Sequence, residues 1–100
     1  MDLGELTDAL RGHAARNVKL GYKVKFTLDD GVIFWDGTGA TPEIGNVDNG
    51  EADTTIAISA ENLEKLMKGT LDPTLAYMTG KLKVEGKMGV ALKLTSMFAD

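Results

Sequence analysis

The sequence predicts an α+β or mixed α/β domain: one mainly antiparallel sheet, with helices before, between and after the strands. Three observations carry that expectation. A helical apolar stripe opens the chain, strictly alternating segments follow it, and the final stretch returns to helix with few polar positions. One hundred residues make a single domain, 1–100, with one core.

Each element has its own signal. Leu3, Leu6 and Leu10, with Ala9 and Ala14, recur at helical spacing and predict a helix over 3–16, with Asn17 as its stop. Tyr22, Val24, Phe26 and Leu28 then alternate with Lys23, Lys25 and Thr27, a half-buried strand. Asp29-Asp30-Gly31 is a tight-turn signal. Val32-Ile33-Phe34-Trp35 is apolar on both faces, so this strand is expected to be central or covered on both sides. Pro42 fits a short edge strand near 43–47, and Asp48-Asn49-Gly50 turns the chain again. Residues 52–58 alternate around Thr54, Ile56 and Ile58.

Ser59 is an N-cap for a helix whose face is Leu63, Leu66 and Met67, ending at Gly69. Asp72-Pro73 is a cap followed by proline at the first helical position, and Gly80 ends that short helix. Lys81 to Glu85 alternate strictly, giving a strand with one charged face. The last helix carries Met88, Val90, Ala91, Leu92, Leu94, Met97 and Phe98, which predicts cover on more than one side.

Composition excludes several functions. The absence of cysteine removes disulfides and thiolate metal sites, and a single histidine, His13, removes His-rich metal centres. Eleven basic against fifteen acidic residues, a net charge of −4, argue against nucleic acid as partner. Apolar runs fall far short of the roughly 20 residues of a membrane span, and the acidic Met1–Glu5 stretch is not the start of a signal peptide. Gly86-Lys87 lacks the spacing and the hydroxyl of a phosphate loop, and no dinucleotide, zincin or nucleophile-elbow pattern occurs. His13 reads as a solvent-facing helix residue, Ser59 as a cap and Asp29-Asp30 as a turn, so no catalytic set is expected. Lys81, Lys83, Lys87 and Lys93 make the C-terminal quarter locally basic, a solvated face or one drawn to anionic headgroups. Met67, Met78, Met88 and Met97 gather on the later helices, where adaptable side chains suit either core packing or an apolar cavity.

The second half carries a resemblance. Gly50-Glu51-Ala52-Asp53-Thr54-Thr55-Ile56, the Leu71-Asp72-Pro73 helix start, and Gly80-Lys81-Leu82-Lys83-Val84-Glu85-Gly86-Lys87-Met88-Gly89 followed by Ala91-Leu92-Lys93-Leu94 occur together in order and spacing. That combination resembles the sterol carrier protein 2 (SCP-2) family, and the first half fits it more loosely. The resemblance implies an α/β sandwich of about five strands, in the order helix, three strands, a crossover to a fourth strand, helices, a fifth strand and a final helix. It also implies a non-enzymatic, cofactor-free lipid binder, holding a tail in an apolar tunnel between the sheet and the C-terminal helices.

Placed on this sequence, that tunnel is expected among Phe26, Phe34, Trp35, Ile56, Ile58, Met78, Leu82, Val84, Met88, Leu92, Met97 and Phe98. A one-residue slip in parity would exchange Phe34 for Trp35 and Ile33. Some family members have glutamine where Leu92 stands, and the chain ends without a Ser-Lys-Leu address. The expected ligand is therefore a fatty acid, fatty acyl-CoA or phospholipid ahead of sterol, in a cytoplasmic protein that is a monomer or weak dimer touching membranes transiently. The alternative is an accessory or dimerisation domain with a filled core.

Overall fold

The first helix begins with a reciprocal cap. Asp2 Oδ1 accepts from the Glu5 amide at 2.8 Å, and Glu5 Oε1 accepts from the Asp2 amide at 3.1 Å. Helix α1 (Leu3–Arg16) follows, with Leu6, Leu10 and Ala14 turned inward. The structure, a computed structural model, describes residues 1–16 and 20–98. The expected stop at Asn17 lies outside the described residues.

Five strands form one sheet: β1 (Lys23–Thr27), β2 (Val32–Asp36), β3 (Glu43–Gly45), β4 (Thr54–Ile58) and β5 (Leu82–Gly86). Their spatial order is β3-β2-β1-β4-β5. β1 runs parallel to β4, and every other neighbouring pair is antiparallel. The chain must therefore cross from the β3 edge, past β2 and β1, before it enters β4.

Register sorts the side chains onto two faces. Val24 opposes Trp35, Phe26 opposes Ile33, and Ile44 opposes Trp35. Thr54 and Ile56 lie beside Val24 and Phe26, while Val84 and Leu82 oppose Ile56 and Ile58. This face joins the buried residues of all the helices in one core cluster. The other face carries Lys25, Phe34, Thr55, Lys83 and Glu85.

β2 is covered on both sides, as its composition predicts, but by different means. Helices cover Ile33 and Trp35, whereas the crossover between β3 and β4 covers Phe34, which is only 3% exposed. Lys25 pins that crossover. Its Nζ donates to both Asp48 carboxylate oxygens at 3.3 Å and to the Gly50 carbonyl at 3.2 Å.

The Gly50 amide and then the Lys25 ammonium hold the Asp48 carboxyl below its ordinary value. A lowered folded-state value means stability that is present above the unfolded value and lost as pH falls through the folded one. The crossover is expected to stay pinned above pH ~4 and loosen below it. An NMR titration of the Asp48 carboxyl should show a midpoint below that of a free aspartate; a midpoint at or above it would contradict this account.

Helix α2 (Ala60–Met67) is capped twice. Ser59 Oγ accepts from the Asn62 amide at 3.1 Å, and Asp29 Oδ1, from the β1–β2 turn, accepts from the Ala60 amide at 2.8 Å. Asp29 is thus a tie between hairpin and helix. Helix α3 (Pro73–Met78) starts with Asp72 accepting from the Thr74 amide at 2.8 Å. Gly80, at φ 78°, ends it, and the Lys81 amide closes back onto the Ala76 carbonyl.

Two expectations need correction. His13 is not solvent-facing: it is 8% exposed, with its ring edge-on to Phe98 at 5.3 Å between centroids. The last helix, α4 (Met88–Met97), is not covered on more than one side. Val90, Ala91 and Leu94 are buried, but Leu92 is 56% exposed and Met88 37%. Its outer apolar residues border an open cleft.

Candidate functional site

The cleft lies at the β5 end of the sheet, between α3, β5 and α4. β5 contributes Leu82 and Val84, two residues apart on the helix-facing side. α4 contributes Met88, Ala91, Leu92 and Thr95, whose spacing of three, four and seven sets them along one helical stripe. α3 contributes Pro73, Thr74 and Tyr77.

This space has a volume of about 190 Å3 and almost wholly apolar walls. Its one buried hydroxyl is already engaged, since Thr95 Oγ1 donates to the Ala91 carbonyl at 2.9 Å. Past Pro73 and Thr95 it adjoins a wider groove of about 620 Å3, bordered by Leu66, Leu71, Asp72, Leu75 and Phe98. A third groove of about 590 Å3 lies on the opposite face beside Lys25, Asp48 and Glu51, and it is polar and wide open. Size alone would favour either of the two wider grooves. Its almost wholly apolar wall marks the smaller cleft as the place where an apolar ligand gains most.

The structure divides the residues expected to line a tunnel. Leu82, Val84, Met88 and Leu92 come together at the cleft. Phe26, Trp35, Ile56 and Ile58 belong to the packed core, at 0–5% exposure, and do not border it. Phe98 is also core but edges the adjoining groove. Phe34 faces the other side of the sheet, because neighbours on a strand point to opposite faces. Met78 is 75% exposed and stands outside the lining, and the Met97 side chain lies outside the described residues. The expected set missed Pro73, Thr74, Tyr77, Ala91 and Thr95. The 88-91-92-95 spacing could have found two of them; the α3 residues had no such signal.

The recognisable motif residues serve the scaffold. Asp53 Oδ2 accepts from the Lys23 amide at 2.8 Å, and its carbonyl accepts from the Lys87 amide at 3.1 Å. Thr54 Oγ1 donates to the Glu85 carbonyl at 3.0 Å. Together they fasten β1, β4 and the β5–α4 turn, and so fix where α4 sits over β5. Among the described residues no group of three or more His, Asp or Glu could hold a metal ion, and no helix is long and apolar enough to cross a membrane.

The class so defined is a two-layer α+β domain, with all its helices on one sheet face and an apolar slot at one edge. Over residues 5–99 the chain matches the SCP-2 sterol transfer family, and it belongs to that family. Membership implies lipid binding or transfer. Among curated relatives, hydroxysteroid dehydrogenase-like protein 2 of Danio rerio is 41% identical over 61 residues, covering 57% of this chain and 15% of that protein. The Rattus norvegicus counterpart is 30% identical over 94 residues, covering 90% of this chain and 18% of that protein. The chain thus spans less than a fifth of these relatives' length.

Solved structures share the fold. Palmitated SCP2L2 from Aedes aegypti superposes with a TM-score of 0.75 at 18% identity, covering 100% of this chain and 96% of that one. Sterol carrier protein domain 2 of Helicoverpa armigera gives 0.68 at 24% identity, covering 95% and 80%.

Proposed function

We propose that this domain binds and carries lipid without catalysing a reaction, seating an acyl tail in the cleft between α3, β5 and α4. The carrying observation is that Met88 and Leu92 stand over an apolar slot with side chains exposed, instead of being packed down onto the sheet. An apolar chain gains about 0.8 kcal/mol for each methylene buried. A ten-carbon tail therefore gains ~8 kcal/mol before ordering and desolvation costs are subtracted.

The slot's 190 Å3 is smaller than the roughly 300–1,000 Å3 of ordinary ligand sites. A long tail must widen it or continue past Pro73 and Thr95 into the adjoining groove. α4 is suited to give way, since it starts at Lys87 without a side-chain cap and is buried on one side. A narrow slot fits a linear chain better than a fused ring system. That favours fatty acid, fatty acyl-CoA or phospholipid over sterol, and the palmitated state of the Aedes aegypti neighbour supports the same choice.

Native mass spectrometry of freshly purified protein should show bound fatty acid or acyl-CoA, and a fluorescent fatty acid should saturate it at micromolar concentration. Protein that carries nothing and shows no saturable uptake would overturn the reading. It would favour the alternative, an accessory or dimerisation domain, which draws on the filled core around Phe26, Trp35 and Ile56.

A further inference from the structure

The two edges of the sheet are finished differently. At the β3 edge Pro42 precedes the strand, and Arg11 donates from Nε and Nη2 to the Ile44 carbonyl at 3.1 and 2.7 Å. Proline and charged side chains are ordinary means of blunting a strand edge. β5, the other edge, has no such cover. Thr54 Oγ1 donates to the Glu85 carbonyl, so Glu85 turns its backbone groups toward β4. Alternation along the antiparallel pair then turns the amides and carbonyls of Leu82 and Val84 outward. Among the described residues none makes a hydrogen bond to these outward groups.

The side chains of this edge complement themselves. Lys83 and Glu85 are exposed on the outer face, two residues apart. Let a second β5 run antiparallel to the first, with Val84 opposite Val84. Lys83 of each chain then falls opposite Glu85 of the other, and Leu82 opposite Gly86. The outward groups of the two Val84 residues exchange both their hydrogen bonds, and the charged pairs take the non-bonded positions, where facing side chains are closest. A two-residue slip one way sets Lys83 against Lys83, and the other way Glu85 against Glu85, so charge selects the register. Past the strand Lys81 approaches Lys87 of the other chain. There Gly86, at φ 94°, turns the backbone, and Asp53 stands 3.9 Å from the Lys87 ammonium.

Apolar surface marks the same edge. α3 packs beside β5 and carries Leu75, Tyr77 and Met78 at 54, 48 and 75% exposure. A two-fold axis relating the strands also brings α3 of each copy toward the other on the helix-bearing face. A second copy thus offers cover that these side chains lack within one chain.

We propose that a second copy of this chain docks on the β5 edge, β5 against β5, with the two-fold axis through the Val84 pair. Two five-stranded sheets become one continuous sheet, and the contact closes at two chains. It uses the edge and outer face of β5, so it does not depend on the lipid-carrier reading.

The test is sedimentation equilibrium of the full chain over a concentration series, where a monomer–dimer equilibrium is expected. Lys83→Glu and Glu85→Lys should each weaken self-association about tenfold or more, because each sets like charges across both pairs. Mixed in equal amounts, the two variants should associate with one another as tightly as the unaltered chain does, since every facing pair is again of opposite sign. Amide hydrogen exchange reads the backbone: the Val84 amide should slow on dimerisation, while that of Glu85, turned toward β4, should be slow in both states.

A monomer up to about 1 mM would overturn the proposal. So would single variants that associate as the unaltered chain does, a mixture no tighter than its parts, or a dimer in which the Val84 amide exchanges as fast as in the monomer. Association restored in the mixture shows that both variants are folded and that the facing charges set the contact. Neither position lines the cleft, so fatty-acid titration of the same variants reads the carrier function separately.

Discussion

Replacing Val84 with phenylalanine is expected to weaken fatty-acid binding more than tenfold while the protein stays folded. Val84 lies on the helix-facing side of β5, opposite Ile56, and is one of the walls of the cleft. The larger ring would occupy space within a slot of about 190 Å3. It displaces about two methylenes of a bound tail, a loss of ~1.6 kcal/mol before any further misfit. Folding should tolerate the change, because phenylalanine suits a strand and Val84 is only partly buried. Val84→Ala is the counterpart, widening the slot without blocking it. Isothermal titration with a fatty acid, beside thermal melts, separates binding from stability. Unchanged affinity in Val84→Phe would place the ligand elsewhere.

Gly86→Ala is expected to lower stability by about 2 kcal/mol or more, the cost of a strained backbone with a steric clash added. Gly86 has φ 94°, and a Cβ there would come to 2.5 Å from the Asp53 carbonyl oxygen. Both objects are backbone, so neither can rotate away. The position joins β5 to α4, and its neighbour Lys87 donates its amide to that same Asp53 carbonyl. The urea midpoint should fall with little change in slope. Gly89→Ala is the comparison, since a Cβ at Gly89 would meet nothing within 4 Å. Equal midpoints for the two variants would show that the turn relaxes at little cost.

These two positions show how unevenly the sequence discloses the site. Val84 is legible, because Lys81 to Glu85 alternate and strand period assigns it a face. Gly86 is legible as a turn residue, but its contact with Asp53 joins residues thirty-three apart in the chain. The aromatic residues mislead for the same reason. Phe26 and Trp35 are large and apolar, which suits both core and cavity wall, and only register and packing place them in the core. Methionines divide similarly: Met88 reaches the cleft, while Met78, on a helix of six residues, is exposed outside its lining.

By itself the sequence determined what depends on local chemistry. Alternation defined three of the strands, Ser59 and Asp72 the helix starts, Gly80 a helix end, and the joint spacing of the 50–94 motifs the family. Tertiary structure alone decided which apolar residues meet and which remain exposed. A crossover pinned by Lys25 buries Phe34 on the far face, and one-sided packing leaves Met88 and Leu92 over an open slot. Periodicity reports which face a residue occupies, but what covers that face is set by chain segments distant in sequence. Hydrophobic burial is non-directional, so the same Leu, Met or Phe can be core or wall until the packing is known.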